Sequence, residues 1–322
     1  MKRRSLIVAL CAMALGPHAA GAQRTDKIAS VGYISHGQSP ALEALQEGLR
    51  TLGWVEGSNL IVEYRWSYNK DERIPELVED VVRHGVNLIV VAGSTYADVA
   101  LRATRTIPIV FCSHADPVGA GHVASLARPG GNVTGMSNLL TELSAKQLEI
   151  LAATVPGEGP IAVLWNPASP PHGPALSTVK ATARDLGVKL RLVPASAVEE
   201  FDAAFAAMSA ERARATLALV SPSYYVHHAR LAELARQYRL PSMFGWREYP
   251  KVGGLMSYGP NLNDMFRRCA VYVDKILKGA KPAELPVEQA SKYEFVINLD
   301  AARALDVEIP PSILIRADEA IE

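Results

Sequence analysis

Residues 87–116 read NLIVVAGSTYADVALRATRTIPIVFCSHAD. Two short apolar runs, Asn87–Ala92 and Pro108–Cys112, bracket a stretch whose apolar residues recur at helical spacing, Tyr96–Arg105. The runs are continuous rather than alternating, the pattern of strands buried on both faces of a parallel sheet. Two such strands joined by a helix of this length make a βαβ unit. Each run ends in small polar residues, Gly93-Ser94-Thr95-Tyr96 after the first and Ser113-His114-Ala115-Asp116 after the second. Open parallel sheets bind their ligands beyond the carboxyl ends of their strands.

The same rhythm extends in both directions. Towards the N-terminus it runs through Ile28–Ser35, Ala41–Leu52, Leu60–Trp66 and Ile74–His84. After the turn-rich stretch Pro129–Gly135 it restarts: Leu143–Thr154, Ile161–Trp165, Ala175–Leu186, Lys189–Val193, Phe201–Arg214, Thr216–Val220, Val226–Arg239 and Ser242–Gly245. The expectation is α/β, with two Rossmann-like lobes and parallel sheets. The brief connections at Gly135–Asn138 and Tyr258–Asn261 make the link between them a hinge rather than a tether. A long helix over Leu262–Gly279 ends in glycine. It is followed by a run at Glu294–Leu299 and a short helix at Asp300–Leu305. These tail elements have no partner in a plain two-lobe count and are expected to pack back across the hinge. The division expected is 26–136 with about 260–292 as lobe 1, and 137–259 with about 293–322 as lobe 2.

Lys+Arg and Asp+Glu both number 33 in 322 residues, and 49% of residues are hydrophobic. The balance offers no basic excess for nucleic acid and no acidic block for disorder. The first residues have the layout of a secretory signal peptide. Lys2, Arg3 and Arg4 precede the apolar run Leu6–Leu15, and Ala20-Gly21-Ala22 is a small-residue cleavage pattern. Removal of residues 1–22 leaves 30 basic against 33 acidic side chains. Two cysteines then remain, Cys112 and Cys269, read as packed thiols rather than a disulfide, and no Cys/His metal spacing occurs. An exported, periplasmic product is expected, with no cofactor and no metal.

The residues after each strand are the candidates for contact with a small molecule. In lobe 1 they are Ser35, His36, Ser94, Thr95, Tyr96, Ser113, His114 and Asp116; in lobe 2 they are Asn166, Tyr224, Tyr225 and Trp246. Hydroxyls dominate the first group and aromatic rings the second, so a ligand between them meets polar donors on one side and flat apolar faces on the other. Ser94 or Thr95 can cap the helix that follows, and Asp116-Pro117 can start a turn. A helix N-terminus also attracts a carboxylate. Arg247 would favour a second acidic group or a ligand without an amine.

Several further motifs carry a resemblance. They are Leu49–Gly57 (LRTLGWVEG), Asp116-Pro117-Val118, Pro129–Gly135 (PGGNVTG), Leu240-Pro241, Gly253–Gly259 (GGLMSYG), and the tail Ile297-Asn298-Leu299 with Ala301-Ala302 and Ile309-Pro310. In this order and spacing the chain resembles the extracytoplasmic solute-binding proteins of ABC importers. More narrowly, it is similar to their tryptophan- and tyrosine-binding branch. The resemblance implies a type I periplasmic-binding fold, two lobes joined by a multi-stranded hinge. It implies a small, amino-acid-like or aromatic-acid ligand, with Asp116 as an acceptor for a ligand ammonium in the amino-acid case, a membrane ABC permease as partner, and a monomer without catalytic activity. Lipoprotein members of that branch carry a lipidated cysteine after the signal, and here none is found at that place. Two other readings compete: a ligand sensor feeding a membrane receptor or kinase, and a secreted hydrolase using Ser113 beside His114. The hydrolase is disfavoured because adjacent side chains rarely meet and no third group orients the histidine. Glycine-rich phosphate fingerprints and a G-x-S-x-G elbow do not occur.

Overall fold

The computed structural model describes residues 28–68 and 70–322; the leader expected over residues 1–22, with Cys11, lies outside them. The first series runs β1 (Ala29–Ser35), α1 (Pro40–Thr51), β2 (Leu60–Trp66), α2 (Ile74–Arg83), β3 (Leu88–Val91), α3 (Ser94–Ala103), β4 (Ile109–His114) and β5 (Val133–Ser137). The second runs α4 (Leu140–Thr154), β6 (Ile161–Trp165), α5 (His172–Asp185), β7 (Leu190–Pro194), α6 (Phe201–Ala210), β8 (Ala215–Ala218), α7 (Pro222–Val226), α8 (His228–Gln237), β9 (Ser242–Phe244), α9 (Glu248–Lys251) and β10 (Met256–Pro260). The tail contributes α10 (Leu262–Leu277), β11 (Glu288–Gln289), β12 (Tyr293–Asn298), α11 (Leu299–Ala304), α12 (Pro311–Leu314) and β13 (Glu319–Ile321).

The strands form two sheets, ordered β11-β5-β4-β3-β1-β2 and β13-β12-β10-β9-β8-β6-β7. Every pair in the first sheet is parallel. In the second, β12 runs antiparallel to β10 while the other pairs are parallel. Helices cover both faces of each sheet, which is why the central strands lack polar alternation: β3 is buried throughout, as is β8. The cores follow this layering. Val31, Tyr33, Leu45 and Val110 meet Phe266, Cys269 and Val273 of α10 on one face of the first sheet. Ile34, Val78, Ile89 and Phe111 close the opposite face. Leu148, Val163, Val179 and Leu217 form one core of the second sheet, and Leu164, Phe205, Tyr224 and Leu231 the other.

The tail therefore belongs to both lobes. Helix α10 packs along α1 so closely that a Cβ at Gly48 would lie 2.8 Å from the Ala270 Cβ. Strand β11 extends the first sheet, and β12 and β13 extend the second. The chain crosses between sheets at Asn138-Leu139, at Asn261 and between β11 and β12. The crossings are tied together: the Asn261 N–H donates to the Lys292 carbonyl at 3.0 Å, and the Ala290 N–H to the Ser137 carbonyl at 2.9 Å. The strand β5 continues two residues past Gly135, so the first crossing turns at Leu139, whose φ of 55° is left-handed. Cys112 and Cys269 are free, buried thiols, and the Cys269 thiol faces the Phe111 carbonyl at 3.5 Å.

Candidate functional site

In each lobe the strand order reverses once, between β1 and β3 in the first sheet and between β6 and β8 in the second. Such switch points leave a crevice at the strand carboxyl ends. Here the two crevices face one another across a cleft of about 720 Å³, its open mouth included. The loops after β1, β3 and β4 supply one wall, and those after β6, β8 and β9 the other.

The lobe 1 wall is a set of small polar groups held by backbone. Helix α3 begins at Ser94 behind an extended Gly93, and no side chain caps it. Ser94 and Thr95 therefore do not act as caps. Instead, the Ser94 Oγ accepts from the Ala115 N–H at 2.9 Å and ties the loops after β3 and β4 together. The Ser113 hydroxyl accepts from the Asn138 amide at 2.9 Å, joining that wall to the first hinge crossing. Tyr96 turns its hydroxyl inward, 2.8 Å from Ser67 Oγ. His36 reaches over the cleft and meets Tyr225 edge-on, with ring centroids 5.8 Å apart. Burial lowers the His36 pKa to about 4, so its ring is neutral.

The lobe 2 wall is aromatic. Tyr225 sits on the single turn α7 and packs edge-on against Trp246 at 5.1 Å between centroids. The Trp246 Nε1–H is buried without a protein partner.

The structure gathers His36, Ser94, Thr95, Tyr96, Ser113, Tyr225 and Trp246 on this cleft and places the remaining candidates beside or beneath it. Ser35 is buried, its hydroxyl on the Gly37 carbonyl at 2.9 Å, and shapes the loop that carries His36. Tyr224 points into the lobe 2 core and donates to the Ala195 carbonyl at 2.7 Å. It cannot accompany Tyr225 because successive helical side chains diverge by about 100°. Asn166 is buried. Its N–H donates to His172 Nδ1 at 2.9 Å and its Oδ1 accepts from Ala168 at 2.8 Å, so it builds the loop that brings Ser169 and Pro171 to the rim.

His114 and Asp116 lie in an adjoining chamber of about 750 Å³ that shares Ser94, Thr95 and Pro171 with the cleft. The Asp116 N–H donates to His114 Nδ1 at 3.2 Å, leaving His114 Nε2–H to donate to His122 Nδ1 at 2.9 Å. The proton on His122 Nε2 then faces Asp98 at 3.5 Å. Burial, reinforced by His122, lowers the His114 pKa to about 3. Ser113 and His114 thus engage different partners and form no nucleophile–base pair. The Asp116 carboxylate accepts from the Gly119 N–H at 2.7 Å and fulfils its turn role. Arg247 is engaged by Glu294 and Glu319 and does not enter the cleft lining.

The lining also includes Ser39, Asn138, Leu140, Ser169, Pro171, Val220, Leu262 and Phe266, none singled out from sequence. Asn138 and Leu140 follow directly from the hinge connection. Leu262 and Phe266, one turn apart on α10, had no such signal, because their route to the cleft depends on α10 packing back onto lobe 1.

Two opposed α/β lobes with a ligand crevice at their paired switch points define the two-lobed solute-binding class, the type I periplasmic-binding fold. A profile of the ABC transporter substrate binding protein family matches residues 27–321, and the chain belongs to that family. A tyrosine-binding protein of Clostridioides difficile is 23% identical over 293 residues, covering 89% of this chain and 84% of the relative. A conserved domain protein from Vibrio cholerae superimposes with a TM-score of 0.85 at 29% identity, covering 91% of this chain and 100% of the other. An ABC domain from Streptococcus pneumonia in complex with L-Trp gives a TM-score of 0.83 at 23% identity, covering 91% and 99%. No helix among the described residues is long and apolar enough to cross a membrane.

Proposed function

We propose that this chain is the exported, periplasmic solute-binding subunit of an ABC importer, capturing a small aromatic ligand between its lobes and presenting the closed form to a membrane permease. The observation that carries the reading is the pairing of unlike walls: the uncapped start of α3 with Ser94, Thr95 and Ser113 opposite the Tyr225–Trp246 pair. Donors on lobe 1 orient a polar end, and rings on lobe 2 cover an apolar body. The tyrosine-binding relative and the L-Trp complex support the aromatic class.

The two lobes move as two bodies about the three crossings, at Asn138-Leu139, at Asn261 and between β11 and β12. Ligand stabilises the closed arrangement through its greater affinity for it. The His36–Tyr225 contact across the cleft supports such an arrangement. The chain acts as a monomer and binds without catalysis. Residues 1–22 direct export and are removed.

A thermal-shift screen of aromatic amino acids, aromatic acids, aliphatic amino acids and sugars tests the reading. A ligand at 100 times its Kd stabilises by about 2.7 kcal/mol. Aromatic compounds should stabilise the protein; stabilisation by aliphatic compounds or sugars alone would refute the aromatic assignment.

A further inference from the structure

The cleft's chemistry restricts its ligand beyond the word aromatic. Among the described residues that line it, the polar side chains are hydroxyls, the Asn138 amide, the His36 ring and the Trp246 indole; none is Asp, Glu, Lys or Arg. Of the two charged groups expected there, Asp116 lines the adjoining chamber rather than the cleft, with one carboxylate oxygen on the Gly119 N–H, and Arg247 is paired with Glu294 and Glu319.

We infer that the ligand carries an aromatic body and no ammonium group, so that the site takes aromatic carboxylates lacking an α-amine in preference to aromatic amino acids. This deepens the proposed function and rests on it.

An ammonium transferred from water into a closed cleft needs a counter-charge or a full set of acceptors to offset its desolvation. The lining offers the reverse, a surplus of donors. The Trp246 Nε1–H is buried and unpartnered, and the start of α3 is uncapped. The oxygens on the lobe 1 wall are partly committed: Ser94 Oγ to Ala115, Ser113 Oγ to Asn138, and Asn138 Oδ1 to Leu140.

Neighbouring carboxylates do not reverse this. Asp71 and Glu248 act on Tyr96 and Tyr225 as nearby negative charges but do not line the cleft. Asp98, in the adjoining chamber, is paired with Arg102 at 2.7 Å and faces His122 at 3.5 Å. A carboxylate ligand, in contrast, finds donors and no repelling anion in the lining.

Matched pairs that differ only in the α-amine test the inference on the unmodified mature protein, dialysed free of ligand. The pairs are L-phenylalanine with 3-phenylpropanoate, L-tyrosine with 3-(4-hydroxyphenyl)propanoate, and L-tryptophan with indole-3-propanoate. Isothermal titration calorimetry should give the deaminated acid at least a tenfold tighter Kd in each pair that binds. A smaller ratio, or a preference for the amino acid, overturns the inference while leaving the aromatic cleft intact. Binding by none of the six removes the aromatic reading and the inference together.

Discussion

The two walls of the cleft differ in how their contact groups are held. On lobe 1 the groups sit at strand ends and are fixed by backbone: Ser94 holds the Ala115 N–H, Ser113 holds the Asn138 amide, and α3 starts directly behind β3. On lobe 2 the contact comes from two large side chains on short supports, Tyr225 on the single turn α7 and Trp246 after the three-residue strand β9. A wall of fixed donors sets orientation, whereas a wall of rings supplies buried area. The division of labour predicts that changes on lobe 2 cost affinity broadly and changes on lobe 1 cost discrimination.

Trp246→Ala gives the largest effect. Centrally placed aromatic anchors typically cost about 2 kcal/mol or more when truncated, so affinity should fall by roughly thirtyfold. Calorimetry on the tightest-binding compound of the screen checks this; an unchanged Kd would remove the ring wall from the account.

The walls share one feature, and it sets the next effect. Beneath each lies a buried histidine whose Nδ1 accepts a backbone N–H from a strand-end loop, His114 from Asp116 and His172 from Asn166. Burial lowers these pKa values to about 3 and about 4, from an ordinary value of 6.5. Below pH 6.5 the unfolded chain takes up protons that the folded chain does not. Stability contributed by the neutral rings is therefore complete above that pH and is lost progressively towards pH 3. Between pH 7 and 5.5 the loss should be on the order of 1 kcal/mol per histidine. Thermal denaturation across that range checks the sign, and a midpoint that rises on acidification would contradict it.

Ser94→Ala together with Thr95→Val should weaken binding of a carboxylate by about tenfold, the scale of one charge-assisted hydrogen bond. It should also narrow the gap between acids and their uncharged amides, a readout that a loss of packing would not move. The smallest effect separates neighbours: Tyr224→Phe should lower stability by about 1 kcal/mol through loss of its bond to the Ala195 carbonyl, with affinity unchanged. A loss of affinity in that variant would place Tyr224 in the cleft after all.

The central strands are legible in sequence because strands buried on both faces must be apolar throughout; the run Ile161–Trp165 coincides with β6 and Asn87–Ala92 contains β3. Helix starts were harder. Helix α5 begins at His172, three residues before the first apolar signal, because a buried, fully bonded histidine reads as polar. Helix α7 is hidden in sequence because Pro222 reads as a break, whereas at the first helical position proline is favoured. Tyr224 and Tyr225 then read as equivalent, although successive side chains of a helical turn diverge by about 100°. The fate of Arg247 is not readable from sequence, since only the assembled fold brings Glu294 and Glu319 to it, whereas the bond from the Gly119 N–H to Asp116, three residues back, is the local turn that Asp116-Pro117 already offers. The crossing from β11 to β12, and the reversal of β12 against β10, likewise depend on partners far away in sequence.

Closure of the two walls on a ligand is the central claim, and small-angle X-ray scattering tests it most directly. The mature protein should be measured alone and at saturation with indole-3-propanoate or L-tryptophan, whichever raises the melting temperature more. Saturation should give a smaller radius of gyration and a shortened maximum dimension. A scattering profile unchanged at full occupancy would contradict it.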